Sequence, residues 1–274
     1  MIQLLSEIID TVLLAGQEVL SIYEQKNIKV IQKENDTPVT KADIIAHQII
    51  HNKINTLTPE ISIISEESPT KNIQNYRSTT YWLIDPIDGT KGFIKKNKQF
   101  TINIALIKNQ LPILGVVYAP ALDELYYAYK NKGAYKISKS ITKKITAYNK
   151  KKIKLWHIVY SHRNINHRVS QAFHALGDFK VESMSSSLKI CKVAEGYCHI
   201  YPRLHPTSEW DTAAAQCIAQ EANASIIRLD SLDILKYNIS KDILNPPFIV
   251  LPNSLKKRIL EWIIDLKKLQ FNLF

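Results

Sequence analysis

The chain has 274 residues, 45% hydrophobic and 22% charged, a composition typical of a globular protein and unlike a disordered or membrane-embedded one. Lysine and arginine number 36 against 25 acidic residues, giving a formal charge of +11 and a pI near 9.4. That balance admits nucleic acid, a membrane surface or a small anionic substrate as a partner. Nearly all of the basic excess is lysine, and its runs at 95–96, 143–144 and 150–152 read as solvated faces.

The three cysteines (191, 198 and 217) are odd in number and lack paired metal spacing, so neither disulfides nor zinc are expected and a reducing cytoplasm is. Residues 5 to 20 carry Leu5, Ile8, Ile9, Val12, Leu13, Val19 and Leu20 at helical spacing. Glu7, Asp10 and Glu18 interrupt them, which argues against a signal peptide or membrane span. Thr40, followed by Asp43 three residues on, predicts an N-capped helix through Ile45, Ile49, Ile50 and Ile54. Short apolar strands are expected at 61–64, ending at Ser65-Glu66-Glu67, and at 81–84, ending at Asp85.

From Phe100 onward the pattern predicts an antiparallel meander with strands at 101–107, 113–118, 125–129 and 134–137. A polar, lysine-rich boundary falls near 140–152 and divides the chain into lobes 1–150 and 151–274. Beyond it, strands are expected at 153–160, 199–204 and 247–251. Helices are expected at 166–176, at 209–222 and from Ser254. This order predicts a layered α+β sandwich.

Three times an apolar segment ends in carboxylates: Glu66 and Glu67, then Asp85 and Asp88, then Asp211 opening a helix after Trp210. Carboxylates at strand ends can converge at one sheet edge, and an all-oxygen set suits Mg²⁺ or Mn²⁺. In Asp85-Pro86-Ile87-Asp88-Gly89-Thr90, proline restricts its own φ and that of Asp85, forcing a tight turn. Gly89 permits close approach of a ligand, and the N–H groups of residues 89–91 can face a phosphate. Each piece alone has a plainer reading, as a turn, a solvent-facing pair or a helix cap. Their combination points to metal-assisted phosphoryl chemistry.

Ser65-Glu66-Glu67-Ser68, Trp82-Leu83-Ile84-Asp85-Pro86-Ile87-Asp88-Gly89-Thr90 and Trp210-Asp211-Thr212-Ala213-Ala214 resemble the three signatures of the inositol monophosphatase superfamily. Residues 37–43, 89–91, 100–107, 112–120, 186–189, 193–196 and 201–203 look most like its bacterial 3'(2'),5'-bisphosphate nucleotidases. The resemblance implies an α-β-α-β-α sandwich of the inositol monophosphatase/fructose-bisphosphatase type. It also implies removal of the 3'-phosphate of adenosine 3',5'-bisphosphate (PAP), with PAPS as a further substrate.

By the same resemblance, Glu66, Asp85 and the Ile87 carbonyl would hold one Mg²⁺, and Asp85, Asp88 and Asp211 a second. Glu66 would help place a third through water. Thr90, oriented by Asp43, would act with Glu66 on the attacking water, and Gly89 and Thr90 would receive the phosphate. His162, Ser186, Lys189 and Arg203 would face the nucleotide. Ser185 stands where the family usually has glycine, so a distorted loop is expected if that position needs positive φ.

An inositol or sugar-phosphate phosphatase would share the metal cage, whereas Lys189 and Arg203 favour a substrate with two anionic groups. A non-catalytic basic RNA- or membrane-binding protein is the reading of another class. No nucleic-acid motif supports it, so no nucleic-acid partner is expected. The resemblance permits loose association with the cytoplasmic face of an inner membrane, which the basic charge would assist.

Overall fold

Apolar residues three and four apart give helix α1 (Ile2–Tyr23) one buried face, formed by Ile8, Val12, Ala15 and Val19. It lies beside α2 (Lys41–Leu57), which buries Ala42, Ala46, Ile50 and Ile54. The computed structural model describes residues 2–26, 28–32, 38–68, 79–150, 152–161, 165, 167–238 and 242–268. Thr40 caps α2 as its sequence predicts: its hydroxyl accepts from Ala42 N (3.2 Å), and the Asp43 carboxylate accepts from Thr40 N (2.7 Å). A short ribbon, β1 (Val30–Gln32) with β2 (Pro38–Thr40), leads into this cap.

The helical pair covers a seven-stranded sheet whose order follows the chain. Its strands are β3 (Ser62–Ser65), β4 (Thr80–Asp88), β5 (Thr101–Lys108), β6 (Leu111–Ala119), β7 (Glu124–Tyr129), β8 (Ala134–Ser138) and β9 (Ile141–Ile145). β3 and β4 are parallel, and every later pair is antiparallel, as the meander pattern predicts. β9 lies where the sequence suggested a polar boundary. Four of its five residues are exposed, so this lysine-bearing edge strand has no apolar alternation to announce it. Between β4 and β5 sits one turn and a half of helix, α3 (Thr90–Ile94).

The second sheet uses β10 (Trp156–Tyr160), β11 (Phe179–Ser183), β12 (Tyr201–Arg203), β14 (Ala224–Arg228) and β16 (Phe248–Pro252). β10 and β11 pair in parallel, β12-β16-β14 pair antiparallel, and a parallel bridge between Ile158 and Ile200 joins the two groups. β13 (Thr207–Ser208) and β15 (Leu244–Asn245) form a two-residue ribbon beside it. The helices here are α4 (His167–His174), α5 (Leu188–Ala194), α6 (Ala213–Glu221) and α7 (Lys256–Lys268). α5 and β11 were not expected from the sequence, and the strands expected at 153–160 and 199–204 are shorter than their apolar patterns.

Three hydrophobic cores define five layers. Trp82, Ile84, Ile102, Ile104 and Leu106 face α1 and α2. The alternate residues Tyr81, Leu83, Ala105 and Ile107 face α5 and α6, as Ile226 and Val250 do from the second sheet. Ile227, Ile249 and Leu251 point the other way, onto α4 and α7. The fold is an α-β-α-β-α sandwich. α6 lies so close to β6 that a Cβ on Gly115 would collide with the Ala214 carbonyl, so the central layers meet through a glycine.

A cluster of ion pairs ties α5 to the first sheet. Lys136 Nζ meets Glu124 (2.8 Å) and Glu195 (2.9 Å), and Lys192 Nζ meets the same two carboxylates at 2.9 and 2.8 Å. Tyr126 adds its hydroxyl to Glu124 at 2.8 Å. Burial alone would raise Glu124, but hydrogen bonds from Lys136 and Lys192 outweigh it and hold the carboxyl below its ordinary value of 4.5. A depressed folded pKa contributes stability that is present above about 4.5 and lost as the pH falls through the folded value. Glu124→Gln is expected to cost about 1–3 kcal/mol at neutral pH and to flatten the acid side of the stability profile. Urea titrations at neutral pH and at acid pH check both outcomes.

Candidate metal centre and anion cleft

Parallel pairing places the ends of β3 and β4 side by side, with Ser65 opposite Ile84. Glu66 follows directly, and its N–H donates to the Ile84 carbonyl at 3.1 Å. β4 does not stop at Asp85, as its apolar run suggested. Its ladder is interrupted between Asp85 and Asp88 and resumes where Asp88 faces Thr101. The irregularity surrounds Pro86, which has no N–H to give. Ile87 N donates to Asp85 Oδ1 at 3.0 Å, closing the turn. Gly89 follows at φ 94° and accepts from the N–H groups of Gly92 (2.7 Å) and Phe93 (2.9 Å), starting α3.

Asp211 comes from the other sheet's side of the molecule. The helix expected over 209–222 is broken: Glu209–Asp211 is a 3₁₀ turn, Thr212 leaves helical geometry, and α6 begins at Ala213. Asp211 therefore closes a turn rather than opening a helix, and its Oδ2 accepts from Ser208 N at 3.0 Å. One ligand atom each from Asp85, Asp88 and Asp211 lies within 4.8 Å of the others. Glu66 shares a hydrogen bond with Asp85 and adds charge to both Asp85 and Asp211.

Lys189 and Arg203 in the neighbouring cleft offset this crowding only in part. Burial raises Asp85 far above the usual carboxylate range, and Glu66, Asp88 and Asp211 raise it further. Burial also raises Asp211, with Asp88 and Glu66 adding to it. Asp88 is raised by burial too, though Lys189, the Ser187 N–H, Arg203 and Asn103 pull against it. Four converging carboxylates with oxygen donors only, mutually repelling, with Asp85 buried and the others half-buried, fit hard divalent cations such as Mg²⁺.

Thr90 and Asp43 stand at the edge of the same turn. The Thr90 hydroxyl lies 3.3 Å from Asp43 Oδ1 and 3.2 Å from the Ile87 carbonyl. The other Asp43 oxygen is taken by the Thr40 N–H (2.7 Å) and hydroxyl (2.6 Å). Asp43 is raised by burial, with the Thr40 hydrogen bonds opposing the shift.

A half-open cleft of about 90 Å³ lies beside Asp88 and Asp211, lined also by Ser186, Lys189, Tyr201, Arg203 and Thr207. Lys189 is buried, donates to the Ser186 carbonyl at 2.7 Å and lies 5.3 Å from the Tyr201 ring centroid. Burial lowers its ammonium to about 8, with Asp88 opposing and Arg203 reinforcing the shift. Arg203 is held by Ser161 Oγ (3.2 Å) and the carbonyls of His205 (3.0 Å) and Pro206 (3.3 Å). His162 lies outside the described residues.

The loop before α5 differs from its expectation. Positive φ falls on Ser186 (56°), not on Ser185, so serine in place of glycine at 185 meets no backbone penalty there. Ser185 instead gains partners, with its N–H on Gln99 Oε1 (3.0 Å) and its hydroxyl accepting from Asn97 (3.3 Å). The Ser187 N–H donates to Asp88 Oδ2 at 2.6 Å, and its hydroxyl meets Asn103 (2.8 Å) and Thr101 (2.9 Å). Thr101, Asn103, Tyr201 and Thr207 were not singled out from sequence. Asn103 and Thr101 sit on alternate positions of β5, and a polar pair inside an otherwise apolar strand is the signal that marks them.

The sequence matches the inositol monophosphatase family over residues 3–265. It is 41% identical over 235 residues to the 3'(2'),5'-bisphosphate nucleotidase CysQ of Salmonella typhimurium, spanning 85% of this chain and 94% of that protein. The fold resembles the crystal structure of CysQ from Bacteroides thetaiotaomicron, a bacterial member of the inositol monophosphatase family. The TM-score is 0.76 at 33% identity, over 92% of this chain and 97% of that one. An IMPase of Thermotoga maritima shares the fold with a TM-score of 0.76 at 21% identity, over 98% of this chain and 99% of that one.

The repulsion among the carboxylates generates a direct test. Mg²⁺ is expected to raise the Tm of the wild-type chain, with stabilisation of about 2.7 kcal/mol at a hundredfold excess over Kd. Asp88→Asn keeps an oxygen for the Ser187 N–H but removes a charge, so its Tm in EDTA equals or exceeds wild type and its response to Mg²⁺ is largely lost. Differential scanning fluorimetry with and without Mg²⁺ reads both.

Proposed function

The chain belongs to the inositol monophosphatase family, and on that premise we propose that it is a Mg²⁺-dependent phosphomonoesterase that removes the 3'-phosphate of PAP, giving AMP and phosphate. PAPS is a second substrate on the same reading. The observation that carries it is the junction of two features: converging carboxylates at Asp85, Asp88 and Asp211, and an adjoining cleft that holds Lys189 and Arg203. Relatives named 3'(2'),5'-bisphosphate nucleotidase at about 40% identity support the choice of substrate.

Glu66, Asp85 and the Ile87 carbonyl would hold one ion, and Asp85, Asp88 and Asp211 a second, with Glu66 helping to place a third through water. Bound there, the ions would supply Lewis-acid polarisation of the phosphate and make water a stronger nucleophile at neutral pH. The chain's own groups orient the reaction. With Asp43 Oδ2 engaged by Thr40, only Oδ1 remains to accept from Thr90, which aims the Thr90 hydroxyl's lone pairs outward. The attacking water would donate one hydrogen bond to the Thr90 hydroxyl and pass its other proton to the Glu66 carboxylate. The N–H groups of Gly89 and Thr90 receive the transferred phosphate; attack on phosphorus breaks the bond to the ribose 3'-oxygen, which takes a proton from water and leaves as the 3'-hydroxyl of AMP.

Lys189 and Arg203 would bind the 5'-phosphate, with Ser186 and His162 toward the nucleoside. The three contacts on Arg203 hold its guanidinium in place, so little side-chain freedom is lost on binding. The same reading divides the chain into an N-terminal lobe, 1–150, with most of the metal ligands, and a C-terminal lobe, 151–274, with Asp211 and the substrate contacts. It acts in the cytoplasm on a small nucleotide and needs no nucleic acid. Among the described residues no helix is long and apolar enough to cross a membrane.

The test is a panel of PAP, PAPS, inositol 1-phosphate and fructose 1,6-bisphosphate, compared by kcat/KM with Mg²⁺ and with EDTA. PAP is expected to lead and turnover to vanish in EDTA. Preference for inositol 1-phosphate would replace the substrate assignment, and phosphate release unaffected by EDTA would overturn the metal assignment. Arg203→Ala is expected to raise KM for PAP roughly ten- to hundredfold, corresponding to about 1.5–3 kcal/mol for a hydrogen bond to a charged group. KM for 3'-AMP should barely move, because that ligand lacks the second phosphate. Equal effects on both ligands would remove Arg203 from the 5'-phosphate.

A further inference from the structure

On the far side of α5 from the cleft, a second group of ligand-type side chains converges that the proposed phosphatase chemistry does not use. His157 lies on β10, Glu182 on the adjoining β11, and Cys198 in the turn that leads into β12. One atom from each lies within 4.8 Å of the others. His157 Nε2 is 2.8 Å from Glu182 Oε2 and 3.8 Å from Cys198 Sγ. The ring's other nitrogen, Nδ1, is 2.9 Å from the Tyr197 carbonyl, so it carries a proton and donates there. That contact selects the tautomer in which Nε2 presents a lone pair to the carboxylate and the sulfur. A backbone carbonyl orienting the remote nitrogen is the usual outer support of a metal-ligating histidine.

Only a cation reconciles an unprotonated Nε2 with a carboxylate at hydrogen-bond distance, and that cation is either a proton or a metal. Cys198 favours the metal. Its buried sulfur lies 3.8 Å from the same nitrogen, which adds a third ligand atom to the histidine–glutamate pair. We propose that His157, Glu182 and Cys198 form a zinc site that fastens β10, β11 and the turn at 197–198 together. A nitrogen, a carboxylate oxygen and a thiolate suit Zn²⁺, whereas Mg²⁺ prefers oxygen alone.

The geometry is close to what zinc needs. Tetrahedral bonds of about 2.0–2.3 Å separate nitrogen and oxygen ligands by roughly 3.3 Å, and nitrogen and sulfur by roughly 3.6 Å. The nitrogen–sulfur separation already matches, and the nitrogen–oxygen one must open by about half an ångström. Glu182 can supply that movement, because its side chain is 34% exposed while that of His157 is 8% exposed. Water would be the fourth ligand. Binding releases the Cys198 proton, so affinity rises with pH. Sequence spacing could not reveal the site, because its members come from three separate segments and none forms a local pair.

The probe is Co²⁺, titrated into the full chain with excess Mg²⁺ present to occupy the carboxylate cage. The expected result is one Co²⁺ with a thiolate-to-cobalt charge-transfer band that Zn²⁺ abolishes. Cys198→Ser should eliminate the band, while Cys191→Ser and Cys217→Ser leave it intact. Glu182→Gln should weaken Co²⁺ binding by at least roughly tenfold. Absence of the band in the wild-type chain, or its persistence in Cys198→Ser, would overturn the site. If circular dichroism shows Cys198→Ser unfolded, the Glu182→Gln titration decides, and unchanged affinity there would equally overturn it. PAP turnover does not enter this readout, so failure of the phosphatase assignment and failure of the zinc site are separately visible.

Discussion

Mutual repulsion among Glu66, Asp85, Asp88 and Asp211 is the constraint around which the molecule is arranged. A buried carboxylate without a counter-charge is costly, and several of them together are tolerated only when the surrounding frame leaves them no alternative. Each is held from a different direction. Ile87 N grips Asp85, Ser187 N grips Asp88, Ser208 N grips Asp211, and the Glu66 backbone is pinned to β4. These are contacts to N–H groups in turns, whose positions follow from the backbone rather than from adjustable side chains. The carboxylates are thus fixed by the backbone itself, which is what rigid ligation of an ion would require.

The five layers supply that frame. Two sheets lie against opposite sides of α5 and α6, and alternating strand residues give each sheet one face for the central helices and one for an outer pair. The close approach of α6 to β6 at Gly115 brings Asp211, just before α6, up to the ends of β3 and β4. A wider helix–sheet spacing would withdraw one carboxylate from the other three.

What could be read from sequence follows a physical line. The Thr40–Asp43 cap, the meander and the short apolar runs of β4 and β5 depend on residues within a few positions of one another, and they were legible. The carboxylates were legible as chemistry because Pro86, Gly89 and the paired aspartates are unusual together. Elements shaped by distant partners were not. β9 is a polar edge strand held by β8, and the break at Thr212 depends on contacts with Tyr237 and Asn245. The positive φ at Ser186 is set by a loop whose neighbour Ser187 is anchored on Asp88, Asn103 and Thr101, so the glycine-for-serine comparison at Ser185 pointed one residue away from it.

That anchoring by Ser187 joins two functions usually described apart. Its N–H holds a candidate ion ligand, and its loop carries Ser186 and Lys189 into the cleft. Under the proposed function, a nucleotide that displaced the loop would turn the Asp88 carboxylate, and an ion drawing on Asp88 would pull the loop. By thermodynamic linkage the two affinities must change each other by the same factor. On the same reading, an anion bound at Lys189 alone would alter how tightly the carboxylates hold an ion. On that reading, ion release and product release would be linked through the hydrogen bond from Ser187 to Asp88.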